Sequence, residues 1–230
     1  MTRRRIFLMG LADGAPFILI IVPFAMLFGV VATNAGLDLI EAMSFSIAVI
    51  AGAAQFTAVS LLVDHAPVFM VLAASLAVNL RMAMYSASLV PYLGAAPLWQ
   101  RSLVSYFLVD QSYACSVARF EQNPGWSVPE RLTYFAGCVA AVCPLWYAFT
   151  WVGAVAGQAI PESWALDFAV PICFIAMFAP MLRTLPHVAA AVTSVVAALL
   201  FAGLPSGFGL IVAGLVAMAV GAEVERRMTA

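Results

Sequence analysis

Between Ala15 and Ala32 the chain runs for eighteen residues without one charged or strongly polar side chain, and comparable runs recur to its C-terminal region. A helix of about 20 apolar residues crosses a bilayer. An ordinary soluble domain is about a quarter charged. Here 9% of the 230 residues are charged and 65% are hydrophobic, too few polar groups to clothe a soluble core. That excludes intrinsic disorder, cytosolic enzymology and nucleic-acid binding. The net charge of -1 offers no bulk attraction to an anionic partner. The chain reads as an all-α polytopic protein embedded in a lipid bilayer.

At roughly 28 residues per span and turn there is room for about eight transmembrane helices. Hydropathy places them at Gly14–Ala32, Ala42–Val63, Pro67–Tyr92, Ser102–Ala118, Leu132–Ala156, Leu166–Leu185, Val188–Ala202 and Phe208–Ala222. The fourth and seventh are short enough to be tilted, broken or re-entrant, which leaves seven or eight spans. Alternating half-polar segments are absent, so a β-barrel is not expected. The Arg3–Arg5 start could pass for a signal peptide, but the chain stays hydrophobic afterwards and a retained first span is expected. Arginine placement favours an even number of spans with both termini cytoplasmic. The inner loops then hold Arg3, Arg4, Arg5, Arg119, Arg131, Arg183, Arg226 and Arg227, and the outer loops only Arg101.

Shifted by 124 residues, Gly29, Val31, Ala32 and Ala35 meet Gly153, Val155, Ala156 and Ala159, and Asp38 meets Glu162. The matches are either chance among small residues or the trace of two repeat halves, about 1–120 and 121–230, within one permease domain. Gly10/Gly14 and Gly153/Gly157 form small-x-x-x-small patterns, which are weak as contact signals.

A charge in hydrocarbon is costly, so ionisable residues inside these runs are informative. Arg81 lies deep in the third span and Asp110 at the middle of the fourth; Asp13 precedes the first, and Arg183 and His187 flank the sixth and seventh. Arg81 and Asp110 are the natural pair, either a packing ion pair or a site for a carboxylate and for an ammonium group or proton. The guanidinium fork suits a carboxylate because it donates two parallel hydrogen bonds. Arg81, Tyr85 and Ser88 share a helix face, as do Tyr106, Asp110 and Tyr113. Asn79 projects from nearly the opposite side, so either it bonds a neighbouring helix or the segment is unwound. Gln55, within Ala51–Phe56, marks either close helix packing or a local break. Pro16, Pro23, Pro171 and Pro180 mark further possible breaks. Asp110, Asp13 and His187 are the proton-coupling candidates. Most of the five tryptophans fall near span ends, as interface anchors do.

Cys115, Cys138, Cys143 and Cys173 lie in apolar stretches as small hydrophobes, and no residue set has metal-ligand spacing. No nucleotide loop, metalloprotease motif or nucleophile elbow is present. Neither catalytic residues nor a cofactor nor a metal is expected.

Ala51-Gly52-Ala53-Ala54-Gln55-Phe56, Asn79-Leu80-Arg81-Met82-Ala83-Met84-Tyr85 and Val109-Asp110-Gln111-Ser112-Tyr113 resemble successive signatures of the AzlC-type branched-chain amino-acid exporter family. Gly10–Gly14 and Leu166–Pro171 are similar as well, so the resemblance covers nearly the whole chain. It implies an inner-membrane permease exporting leucine, isoleucine, valine or methionine with a small AzlD-type membrane subunit. The family often carries an acidic residue after the aspartate of the fourth span. Here Gln111 follows Asp110, which bears on proton coupling.

The expected function is therefore the large subunit of a secondary exporter for hydrophobic amino acids, driven by the proton-motive force. Arg81 would hold the substrate carboxylate, with Gln55 and Asn79 adding hydrogen bonds. Asp110 would answer the ammonium or carry the proton, and Tyr85 and Tyr113 would line the path. The alternatives are a non-transporting membrane scaffold and a carrier for another small carboxylate or amine.

Overall fold

Arg3–Arg5 and Asp13 depress the hydropathy of the N-terminus, yet they do not stop its helix. In the computed structural model, which describes residues 2–157, 175, 182–203 and 208–229, α1 (Arg3–Gly14) passes through one 3-10 turn at Ala15–Phe17 into α2 (Ile18–Asn34). The first span thus begins at Arg3 rather than Gly14, and Asp13 lies inside it. Pro16 occupies the 3-10 turn, and Pro23 sits within α2 without ending it. Asp38 and Glu41 then form a reciprocal capping box that starts α3 (Leu39–Ala48).

The remaining described helices are α4 (Gly52–Val63), α5 (Val68–Leu93), α6 (Leu98–Tyr106), α7 (Asp110–Gln122), α8 (Val128–Gly157), α9 (Leu185–Leu200) and α10 (Phe208–Thr229). Among the described residues three stretches are long and apolar enough to cross a membrane: Arg3–Asn34, Val68–Leu93 and Val128–Gly157. α3, α4 and α9 are apolar but shorter. The sixth expected span, with Pro171, Pro180, Cys173 and the Leu166–Pro171 signature, lies outside the described residues apart from Ile175 and its last few residues, as does Glu162 of the repeat comparison.

The chain divides into two units. The first comprises residues 1–55 and 78–161, the second residues 56–77 and 162–230. In the second, α9 and α10 pair antiparallel. A Cβ on Gly209 would lie 2.3 Å from the Phe201 carbonyl, and one on Gly221 would lie 3.1 Å from the Ala190 Cβ.

In the first unit the α1–α2 rod lies along α8. A Cβ on Gly10 would sit 2.2 Å from the Tyr134 carbonyl, on Gly29 2.2 Å from the Thr150 carbonyl, and on Gly153 2.0 Å from the Met26 carbonyl. Gly157 meets Val30 and Thr33. The glycine patterns that were weak as sequence signals therefore form this contact, because only a missing side chain lets the backbones approach so closely. Contacts climb both helices together, so the rod and α8 run parallel, and Gly29 meets Gly153 at the 124-residue offset.

Two expected spans are broken. α3 stops at Ala48, Val49 is extended (φ -139°, ψ 102°), and α4 resumes at Gly52. Across this break the Gln55 amide donates to the Ser46 hydroxyl at 3.1 Å. Nine residues of straight helix would separate them by about 13 Å, so the chain doubles back. Residues 107–109 likewise separate α6 from α7.

α7 runs parallel to α5: Asp110 meets Arg81, Tyr113 meets Tyr85 and Ser88, and Phe120 meets Tyr92. It runs antiparallel to α8, from the Tyr106–Tyr147 contact just before it to Phe120 beside Tyr134. α6 starts within five residues of Leu93, which packs with Ile6, Phe120 and Tyr134. The α6–α7 pair therefore enters from the Arg3 end and returns to it. The fourth span is not a crossing, and Asp110 lies at a helix start rather than mid-helix. Arg101 is not on the opposite side from Arg3–Arg5 but at the same end. Hydropathy registers how apolar a segment is and carries no record of its reversal.

Candidate functional site

A broken helix in hydrocarbon leaves backbone groups that must find partners inside the protein. At the α6–α7 break the Ser112 hydroxyl accepts the Val109 N–H at 3.0 Å and donates to the Phe107 carbonyl at 3.1 Å. At the α3–α4 break the Ile47 carbonyl has lost its helical partner, and the Tyr106 hydroxyl donates to it at 2.6 Å. Tyr147 of α8 lies 3.1 Å from the same hydroxyl. Tyr106 thereby ties the two breaks together. It is split from the Asp110–Tyr113 face on which a continuous helix would have placed it.

Arg81, midway along the continuous α5, reaches Asp110 at the first position of α7, with Nη1–Oδ2 at 3.2 Å. The side chains are 26% and 34% exposed, so the pair is neither sealed nor fully solvated. The α7 N-terminus adds a partial positive charge that favours the carboxylate. Arg81 Nε and Asp110 Oδ1 are both buried and have no hydrogen-bond partner among the described residues. Beside the pair, the Tyr85 and Tyr113 rings stack at 4.0 Å and 10°, and the Tyr113 hydroxyl donates to Ser88 at 3.0 Å. The face predicted to carry Arg81, Tyr85 and Ser88 is thus the face that meets α7.

Gln55 belongs to a different network. It is 1% exposed and donates to Ser46, whose hydroxyl lies 3.4 Å from that of Thr150, while its Oε1 has no partner among the described residues. Asn79 lies in unbroken helix, which removes the unwound alternative, and its Oδ1 is buried without a partner among the described residues. His187 is exposed in the first turn of α9, in the second unit.

Asp13 is not a lead-in residue. Arg119 grips it with Nη2–Oδ2 at 2.6 Å and Nε–Oδ2 at 3.1 Å, and the Tyr134 hydroxyl donates to the same oxygen. Arg119, expected in a loop, sits in the last turn of α7. α7 therefore carries an ion pair at each end, Asp110 at its start and Arg119 at its finish. That arrangement is legible in principle. An acid in the first turn and a base in the last turn of one short helix is what the helix dipole favours. Ser112, Tyr134, and the Ser46–Thr150 link had no sequence signal beyond being polar in apolar runs.

A family model described as "AzlC protein" matches residues 16–160, which include both breaks, Arg81 and Asp110. The chain belongs to the AzlC family. This AzlC family protein is 26% identical over 180 residues to "Inner membrane protein YgaZ" of Escherichia coli (strain K12), covering 73% of this chain and 70% of that one. It is 28% identical over 211 residues to an "Uncharacterized membrane protein" of Archaeoglobus fulgidus, covering 87% of each. No solved structure matches it. Its relatives and its apolar helices make it a membrane protein.

Proposed function

We propose that this AzlC family protein is the large subunit of a secondary exporter for branched-chain or similarly hydrophobic amino acids. The observation that carries the reading is the Arg81–Asp110 pair at the α6–α7 break, in which each partner keeps one unbonded polar atom. A zwitterion has the complementary charges. Its carboxylate takes the Arg81 fork and its ammonium takes Asp110, so each buried charge exchanges one opposite partner for another rather than being stripped. Tyr85 and Tyr113 flank the path, whereas Gln55 of α4 belongs to the Ser46–Thr150 network and Asn79 of α5 lies off the Arg81 face, so neither joins this site.

An apolar wall distinguishes side chains differing by one methylene only about 10–200-fold, so several hydrophobic amino acids share the site. Arg3, Arg4, Arg5, Arg101, Arg119 and Arg131 gather at one end of the first unit, which supports a cytoplasmic location for that end. Coupling to the proton-motive force runs through Asp110 or Asp13, and a small AzlD-type membrane subunit completes the carrier.

The test is counterflow of labelled leucine in proteoliposomes, with this chain alone and with the small subunit. Counterflow that requires the small subunit and an intact Arg81 supports the reading. Its absence in both preparations, with folded protein present, overturns leucine as substrate. Uptake without counterflow overturns the carrier in favour of a channel.

A further inference from the structure

α6 stands out from its neighbours. It is nine residues long and has no buried residue, although an isolated helix shorter than about 12–15 residues is marginal and depends on packing. Cavities flank it on both sides. One, of about 400 Å³, lies toward α5 and is lined by Arg101, Ser86, Ser102 and Ser105 together with apolar residues including Leu89 and Leu93. The other, of about 570 Å³, lies toward α8 and is almost wholly apolar, with walls that include Leu103, Phe107, Phe135 and Val139. Val104 and Leu132 line both cavities, so the two adjoin beside α6.

The chemistry of the two cavities differs in a useful way. Arg101 has no carboxylate partner among the described residues, and neither cavity contains an acidic residue. Ser102 donates to the Leu98 carbonyl and keeps its lone pairs, and Ser86 and Ser105 are exposed. Trp99, 63% exposed two residues before Arg101, is placed as a residue at a membrane–water interface would be. This is the end of the first unit where Arg3–Arg5, Arg119 and Arg131 collect. A cation with hydroxyls at the interface, beside an apolar groove, is complementary to one class of molecule: an anionic head on a hydrocarbon chain.

We infer that α6 is the seat of a bound anionic phospholipid, its phosphate held by Arg101 with Ser86, Ser102 and Ser105, and one acyl chain laid in the groove between α6 and α8. Basic pockets between helices at the cytoplasmic face of a membrane take such head groups. The chain supplies the packing that α6 lacks and holds the half-helix ending at Tyr106. The site lies on the face of α5 bearing Ser86 and Val90, away from Arg81, and does not depend on the transport proposal.

The experiment is thermal unfolding of the detergent-purified chain with added phosphatidylglycerol, phosphatidylcholine or inorganic phosphate. Phosphatidylglycerol should raise the midpoint well beyond the other two. Arg101→Ala should weaken its apparent affinity about tenfold, the size of one charge-assisted contact, without lowering the lipid-free midpoint. Val139→Trp, which fills the groove, should also weaken it. Equal stabilisation by phosphatidylcholine, or an unchanged affinity in Arg101→Ala, overturns the site. Equal stabilisation by inorganic phosphate reduces it to a free-anion site and overturns the lipid.

Discussion

Arg81 and Asp110 are the two residues on which most of the chemistry rests, and their meeting was readable from sequence. No other opposite charges lie so deep in apolar runs, and the cost of leaving either one alone in hydrocarbon is an argument for pairing. What the hydropathy of the fourth span hid was that Asp110 begins a helix, where the dipole as well as Arg81 holds its charge. Replacing Arg81 with alanine strands Asp110. Because the pair is about a quarter to a third exposed, the cost should fall between that of a surface pair and a buried one, about 1–3 kcal/mol. Unfolding midpoints should therefore fall modestly while leucine binding is lost. Arg81→Lys keeps the charge but not the fork, so binding should weaken with little change in midpoint, as a titration and a melt on the same sample would show. The glycines behave differently. Gly153→Ala drives a methyl toward the Met26 carbonyl, and overpacking costs about 1–3 kcal/mol or more. It should cut the yield of folded protein in detergent, whereas an alanine at Gly214, with nothing within 4 Å, should not.

At the scale of elements, the two half-helix pairs matter more than the unbroken spans. The Ala51–Phe56 segment offered one break in the sequence as the alternative to close helix packing, and the chain breaks at its leading edge, just before α4. The second was hidden. Ser112, which satisfies the backbone at residues 107–109, looks like any serine until the chain around it turns. Tyr106 links the breaks through the Ile47 carbonyl and Tyr147. Tyr106→Phe keeps the ring but leaves that carbonyl unsatisfied, a loss of about 1–3 kcal/mol. The account expects faster hydrogen exchange confined to the ends of α3 and α6, with the α1–α8 contact unaffected. Uniform acceleration across the first unit would argue that Tyr106 is merely part of the core.

At the scale of the whole molecule, the sequence supports an all-α membrane protein but misjudges how the chain crosses the bilayer. The expected seven or eight spans left the fourth open to being re-entrant, and α6–α7 does enter and leave at one end; the reversal of α3–α4 within the second expected span was not foreseen. Arg101 seemed to be an exception to the arginine asymmetry because the second expected span was counted as a crossing, whereas α3–α4 doubles back before it. With both α3–α4 and α6–α7 reversing, Arg101, Arg119 and Arg131 join Arg3–Arg5. A single cysteine at Ala95, in a variant lacking the native cysteines, should react with a membrane-impermeant thiol reagent from the same side as one at Thr2. Labelling from opposite sides would restore the second crossing, because Ala95 precedes α6 and its side depends on whether α3–α4 reverses.

The most direct test of the central claim is competition against leucine counterflow by isoamylamine, which lacks the carboxylate, and by 4-methylpentanoate, which lacks the ammonium. If Arg81 and Asp110 divide the zwitterion between them, each analogue should compete far more weakly than leucine. In direct binding titrations the amine should lose its residual affinity in Asp110→Asn, and the acid in Arg81→Ala. Should either analogue compete as well as leucine in the wild-type protein, that charge is not being read and the assignment of the pair to substrate is wrong.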